Sequence, residues 1–68
     1  MSKGILTARE REVFELLILN KSTKEISTYL GISEKTVRNH ISNVMQKMNV
    51  KGRGGAIIEL LKLGEINL

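Results

Sequence analysis

The chain has 68 residues, room for one small domain. It contains no Cys, no Pro and no Asp, and a single His, His40. Those counts exclude disulfides, thiolate metal sites, Cys nucleophiles, a Ser-His-Asp triad, a two-His metal site and an EF-hand loop. No metal, no cofactor and no enzymatic activity is therefore expected, and the core must be built from aliphatic side chains.

Eleven Lys and Arg against seven Glu give a net charge of +4. The charge is unevenly spread. Between Lys35 and Arg53 lie five cations (Lys35, Arg38, Lys47, Lys51, Arg53) and no acid, so the rest of the chain is slightly negative. A basic block on a near-neutral body is a footprint for a polyanion, although a solvated charged face has the same composition. Only Phe14 and Tyr29 are aromatic, fewer than a base-stacking platform for single strands would use. No apolar run approaches the roughly 18 residues of a membrane span, and the first residues turn polar too soon for a signal peptide. A cytoplasmic, nucleoid-associated protein with no membrane contact is expected.

The spacing of apolar residues is helical throughout, which predicts an all-α fold of four helices. Residues 1–5 read as a frayed arm. Thr7-Ala8-Arg9-Glu10 has the spacing of a capping box, so the first helix starts there, with Val13, Phe14, Leu16 and Leu17 as its apolar face. It should stop near Leu19, where Asn20 can take a left-handed conformation. Glu10, Glu12 and Glu15 are explained by capping and by pairing along the helix rather than by acid chemistry. Ser22 or Thr23 caps a short second helix over Lys24–Leu30, with Ile26, Tyr29 and Leu30 as its stripe and Gly31 as its stop.

Ser33 caps a third helix that runs to about Met48. At about 100° per residue, Val37, Ile41, Val44, Met45 and Met48 fall in one stripe. Asn49 is the stop. His40 lies on a flank, packed at the core edge or reaching a phosphate. The fourth helix runs from Gly54 or Gly55 to Leu63, stopped by Gly64. Six of its eight residues from Ala56 to Leu63 are apolar, more than one core contact requires. One face holds Ile57, Ile58 and Leu61, the other Ala56, Leu60 and Leu63. A small domain can cover only one of these faces, and an uncovered one invites a twofold partner. Ala56, Leu60 and Leu63 are assigned to that homodimer interface, although the sequence alone does not settle which face is free.

A short helix, a tight turn at Gly31 and a longer helix form the helix-turn-helix pattern. Ser27 is the small residue at the crossing and Ile32 plugs the turn. The side chains then left outside on the third helix are Lys35, Arg38, Asn39, Ser42, Asn43 and Gln46. No acid follows Glu34 on that helix. Arg can bond guanine O6 and N7 as a fork, and Asn or Gln can do the same to adenine N6 and N7. This face suits a major groove better than it suits bulk water.

The segments LTAREREVFELL, STKEISTYLGISEKTVRNHISNVMQKMNV and KGR resemble the LuxR/FixJ-type DNA-binding domain from Leu6 to about Leu63. Within that family the chain looks most like a stand-alone sporulation regulator, the domain with no receiver attached. The resemblance implies a regulator that binds double-stranded DNA as a homodimer, with the third helix in the major groove and the fourth at the dimer contact. It implies base contacts from Arg38, Asn39 and Ser42. Phosphate contacts would come from Ser22, Thr23, Lys24, Lys35 and Thr36, with Lys47 and Arg53 as further candidates. Lys35 also borders the base-reading face and is counted there. Lys51-Gly52-Arg53 is either an ordinary loop or part of the phosphate contact, and RNA polymerase is a further possible partner. The chain departs from the family with Asn20 and Asn49 in place of Gly and Ser27 in place of Ala. Gly54-Gly55 is unusual, and two Gly at a helix start cost roughly 1–2 kcal/mol relative to Ala, so fraying there is expected. Two readings from other classes stand beside this one. One is a helical module binding an acidic protein. The other is a sigma-type promoter-reading module, for whose polymerase-binding region 68 residues leave no room.

Overall fold

The computed structural model describes residues 4–67. It contains four helices: α1 (Ala8–Ile18), α2 (Thr23–Leu30), α3 (Glu34–Met48) and α4 (Arg53–Lys62), with no strand among the described residues. None of the helices is long and apolar enough to cross a membrane.

The local signals act at the expected places. The Thr7 hydroxyl accepts from the Glu10 N–H at 3.1 Å, and the Glu10 carboxylate accepts from the Thr7 N–H at 3.0 Å. A second capping box starts α2: the Ser22 hydroxyl accepts from the Glu25 N–H at 3.1 Å, and Glu25 accepts from the Ser22 N–H at 2.8 Å. Ser33 caps α3 by accepting from the Thr36 N–H at 3.0 Å. Each helix is followed by a left-handed residue, Asn20, Gly31, Asn49 or Gly64, with φ of 66°, 71°, 57° and 74°. Asn20 and Asn49 thus do the work of glycine, because a short polar side chain tolerates that region.

α4 begins at Arg53, earlier than the sequence suggested, and Gly54 and Gly55 lie in its first turn. The N–H groups of a helix's first turn have no intrahelical partner in any case, so that turn demands less of its residues. Its cap residue, Gly52, offers no side-chain hydrogen bond.

α3 is the central element and packs against the other three helices. The core consists of Leu6, Val13, Phe14, Leu17, Ile26, Val37, Ile41, Val44, Ala56, Leu60 and Ile66. Met45 and Met48 are half-buried against it, as filler. Tyr29 is 76% exposed, so it is not part of the α2 core stripe. A two-turn helix buries only a narrow strip, here Ile26 with Leu30 beside it.

Two interactions tie the ends of the sequence to the helices. Arg11 donates to the Glu65 carbonyl and pairs with the Glu65 carboxylate at 3.2 Å, which seats Ile66 in the core. The Lys47 ammonium donates to the Ile5 carbonyl at 3.1 Å. Within the expected arm Ile5 thus makes one contact with α3, while residues 1–3 lie outside the described residues.

Candidate nucleic-acid interface

The left-handed Gly31 and the Ser33 cap fix where α2 ends and α3 begins, and burial fixes how α3 is rotated. Val37, Ile41 and Val44 point into the core. That orientation leaves Lys35, Arg38, Asn39, Asn43 and Gln46 exposed, with Ser42 half-buried at the edge. The expected base-reading residues Lys35, Arg38, Asn39 and Ser42 thus share the outer side of one helix. His40 is half-buried on its flank.

Arg38 has two kinds of neighbour. Its Nη1 lies 3.5 Å from the Glu34 carboxylate one turn earlier, and both side chains are well exposed. Towards the other end of the chain it lines a groove of about 260 Å³ with Ile41, Met45, Lys51, Gly52 and Arg53. The groove brings three cations, Arg38, Lys51 and Arg53, to the rim of an apolar floor. Arg53 was a candidate phosphate contact. Lys51 belongs with it geometrically, as its places in the acid-free basic block and in the Lys-Gly-Arg loop allowed.

The helix-start residues keep useful hydrogen-bonding capacity. Ser22 spends an acceptor lone pair on its cap, and its hydroxyl proton remains available to an outside acceptor. Thr36 accepts from the Ser33 hydroxyl at 2.9 Å and likewise retains its own proton. Lys24 is exposed and Thr23 half-buried. The Ser22 N–H, aided by the charge of Lys21, holds the Glu25 carboxyl below its ordinary range against slight desolvation.

Lys47 is placed differently from expectation. It binds the Glu10 carboxylate as well as the Ile5 carbonyl, so its ammonium is engaged inside the molecule. With its ammonium committed to Glu10 and Ile5, Lys47 is the least available of the candidate phosphate contacts. Glu10 is the buried charged residue of the described chain, with its side chain only 5% exposed. Burial pushes its carboxyl up, but hydrogen bonds from Lys47 and the Thr7 N–H, together with the Lys47 charge, outweigh that and hold it below its ordinary value. Glu10 read as a cap in the sequence, and it also fastens α1 to the C-terminal turn of α3.

On α4 the apolar faces are sorted by burial. Ala56 and Leu60 have no exposed surface and fill the monomer's own core, so they cannot face a partner as expected. They belong to one core cluster with Val37, Ile41 and Val44 of α3. Ile58 and Leu63 are the outward apolar residues, 57% and 52% exposed. Of the three expected interface residues only Leu63 remains open to solvent.

Residues 4–60 match the family described as bacterial regulatory proteins, luxR family. The chain is 67% identical to the spore germination protein GerE of Bacillus subtilis (strain 168), over 98% of this chain and 90% of that protein. It is 48% identical to the transcriptional regulatory protein DegU of Brevibacillus brevis, over 94% of this chain but only 27% of DegU. A solved structure of the transcription factor GerE superposes with a TM-score of 0.93 at 62% identity, covering 96% of this chain and 97% of that one. The chain belongs to the LuxR family of bacterial regulatory proteins and is a DNA-binding transcription regulator.

Proposed function

We propose that the protein regulates sporulation genes by binding specific double-stranded sites as a homodimer, with α3 in the major groove. The observation that carries this reading is the outer side of α3. It offers Lys35, Arg38, Asn39, Asn43 and Gln46 to solvent, and Glu34 at its first position is its only acid. Arg38 and Asn39 read bases in this arrangement, with Ser42 and Lys35 at the edges. Ser22, Thr23, Lys24 and Thr36 meet phosphates through hydroxyls, backbone N–H groups and an ammonium. Arg53, joined by Lys51, holds the strand on the far side of α3. The sporulation role is supported by the name of the Bacillus subtilis relative, spore germination protein.

The homodimer forms through the outer side of α4, where Ile58 and Leu63 are uncovered. Twofold symmetry then calls for an inverted repeat with half-site centres about one helical turn, roughly 10 bp, apart. The protein acts in the cytoplasm, at the nucleoid, and contact with RNA polymerase from the bound dimer is the route to regulation.

Selection of bound duplexes from a random pool, followed by footprinting and a salt titration, tests the proposal. An inverted repeat should emerge. Log affinity should fall with log salt at about 0.9 per phosphate neutralised. A slope near zero would eliminate DNA as the partner.

A further inference from the structure

Glu34 is the sole acid of α3, and the DNA reading assigns it no role. It stands at the first helical position, where the helix dipole favours a negative charge. Its carboxylate lies 3.5 Å from Arg38 Nη1. On its groove side Arg38 has Lys51 and Arg53, two further cations. Repulsion from those cations and attraction to Glu34 act on the guanidinium in the same sense. The carboxylate therefore biases the guanidinium towards the Glu34 side, by the modest amount of an exposed pair.

We infer that Glu34 is a specificity-determining residue: it holds Arg38 for a neutral acceptor pair on a base and penalises its use on a phosphate. The inference rests on the DNA reading proposed above. A guanidinium has five N–H donors in a planar fork. A guanine takes two of them through O6 and N7. Nη1 can keep its carboxylate partner while another edge meets the base, and the guanine edge carries no net charge to oppose Glu34. A phosphate is different. Drawn to Arg38, it brings a second anion to the same cation and is repelled by the carboxylate. Complexes that use Arg38 only as a counterion lose more from Glu34 than the complex that reads guanine.

The test compares wild type, Glu34→Ala, Arg38→Ala and the double variant, each with the selected duplex and a scrambled duplex of equal length at one salt concentration. Glu34→Ala should tighten scrambled binding more than selected binding, lowering the preference about two- to fivefold, the size of an exposed pair. In the Arg38→Ala background, loss of Glu34 should tighten both duplexes equally. Glu34→Gln, which keeps the side chain's length without its charge, should shift the preference in the same direction as Glu34→Ala. An unchanged preference in both Glu34 variants overturns the inference, as does an equal fall with and without Arg38. If wild type prefers the selected duplex, either result removes the role of Glu34 alone. If wild type has no preference, the DNA reading falls and the inference with it.

Discussion

Replacing Lys47 by methionine removes an ammonium while keeping most of its stem. The Glu10 carboxylate, 5% exposed, then retains only the Thr7 N–H among its present partners. Removing one partner of a fully buried ion pair costs about 3–5 kcal/mol, and of an exposed pair about 0–1. Lys47 is 35% exposed beside a buried partner, which places the expected loss near 2 kcal/mol. For a domain of this size, whose total stability is on the order of 3–5 kcal/mol, that is a large fraction. Urea unfolding followed by circular dichroism should show a lower midpoint with an unchanged slope. The pH dependence should change as well. The folded Glu10 carboxyl sits below its ordinary value of 4.5, so its contribution is complete above that value and is lost as pH falls through the folded pKa. Lys47→Met should flatten this acid limb. The salt dependence of DNA binding should be untouched, because Lys47 is engaged internally. A loss of stability under about 0.5 kcal/mol, with a salt slope reduced by about one, would refute the reasoning and return Lys47 to the phosphates.

Three further outcomes are expected. Arg38→Ala or Asn39→Ala should weaken binding to the selected site by about 1–3 kcal/mol and relax preference at one base pair per half-site; unchanged preference would mean that α3 docks another way. Leu63→Glu should remain helical but sediment as a monomer that binds a half-site weakly, whereas an unchanged dimer places the contact elsewhere. Leu60→Ala, at a position with no exposed surface, should cost about 2–5 kcal/mol in urea unfolding, and a milder loss would show that the core closes over the gap.

The helix boundaries were legible because they are set locally. Thr7 with Glu10, Ser33 before its helix, and Gly31 and Asn49 after theirs act within a few residues of themselves. The capping box of α2 is equally local, written in Ser22-Thr23-Lys24-Glu25. The rotation of α3 was also readable, since Val37, Ile41 and Val44 repeat at helical spacing. The partnership of Glu10 with Lys47 was not readable, because 37 positions separate them and periodicity carries no record of which helix lies opposite. The same limit explains Ala56 and Leu60. A helix that is apolar on both sides announces two contacts without saying which is made within the chain. Ile66 carries no periodic signal, because it follows Gly64, where the helical pattern ends. It is buried next to the carbonyl that Arg11 holds.

The contact between Arg11 and Glu65 spans 54 positions of a chain whose helices are joined by connections of three or four residues. Most of the assembly can thus proceed between neighbours in sequence, at little cost in loop closure, which favours rapid folding. Seating Ile66 is the exception, since it must wait until α1 and α4 have both docked on α3. The last turn should accordingly close after the three-helix body and open before it. In amide exchange, N–H groups near Glu65 and Ile66 would lose protection through a local opening, while those of α3 would exchange only on global unfolding. Because Leu63 lies two residues before Glu65, pairing of two chains through α4 would slow that opening, and the protection of the C-terminal turn would rise with protein concentration.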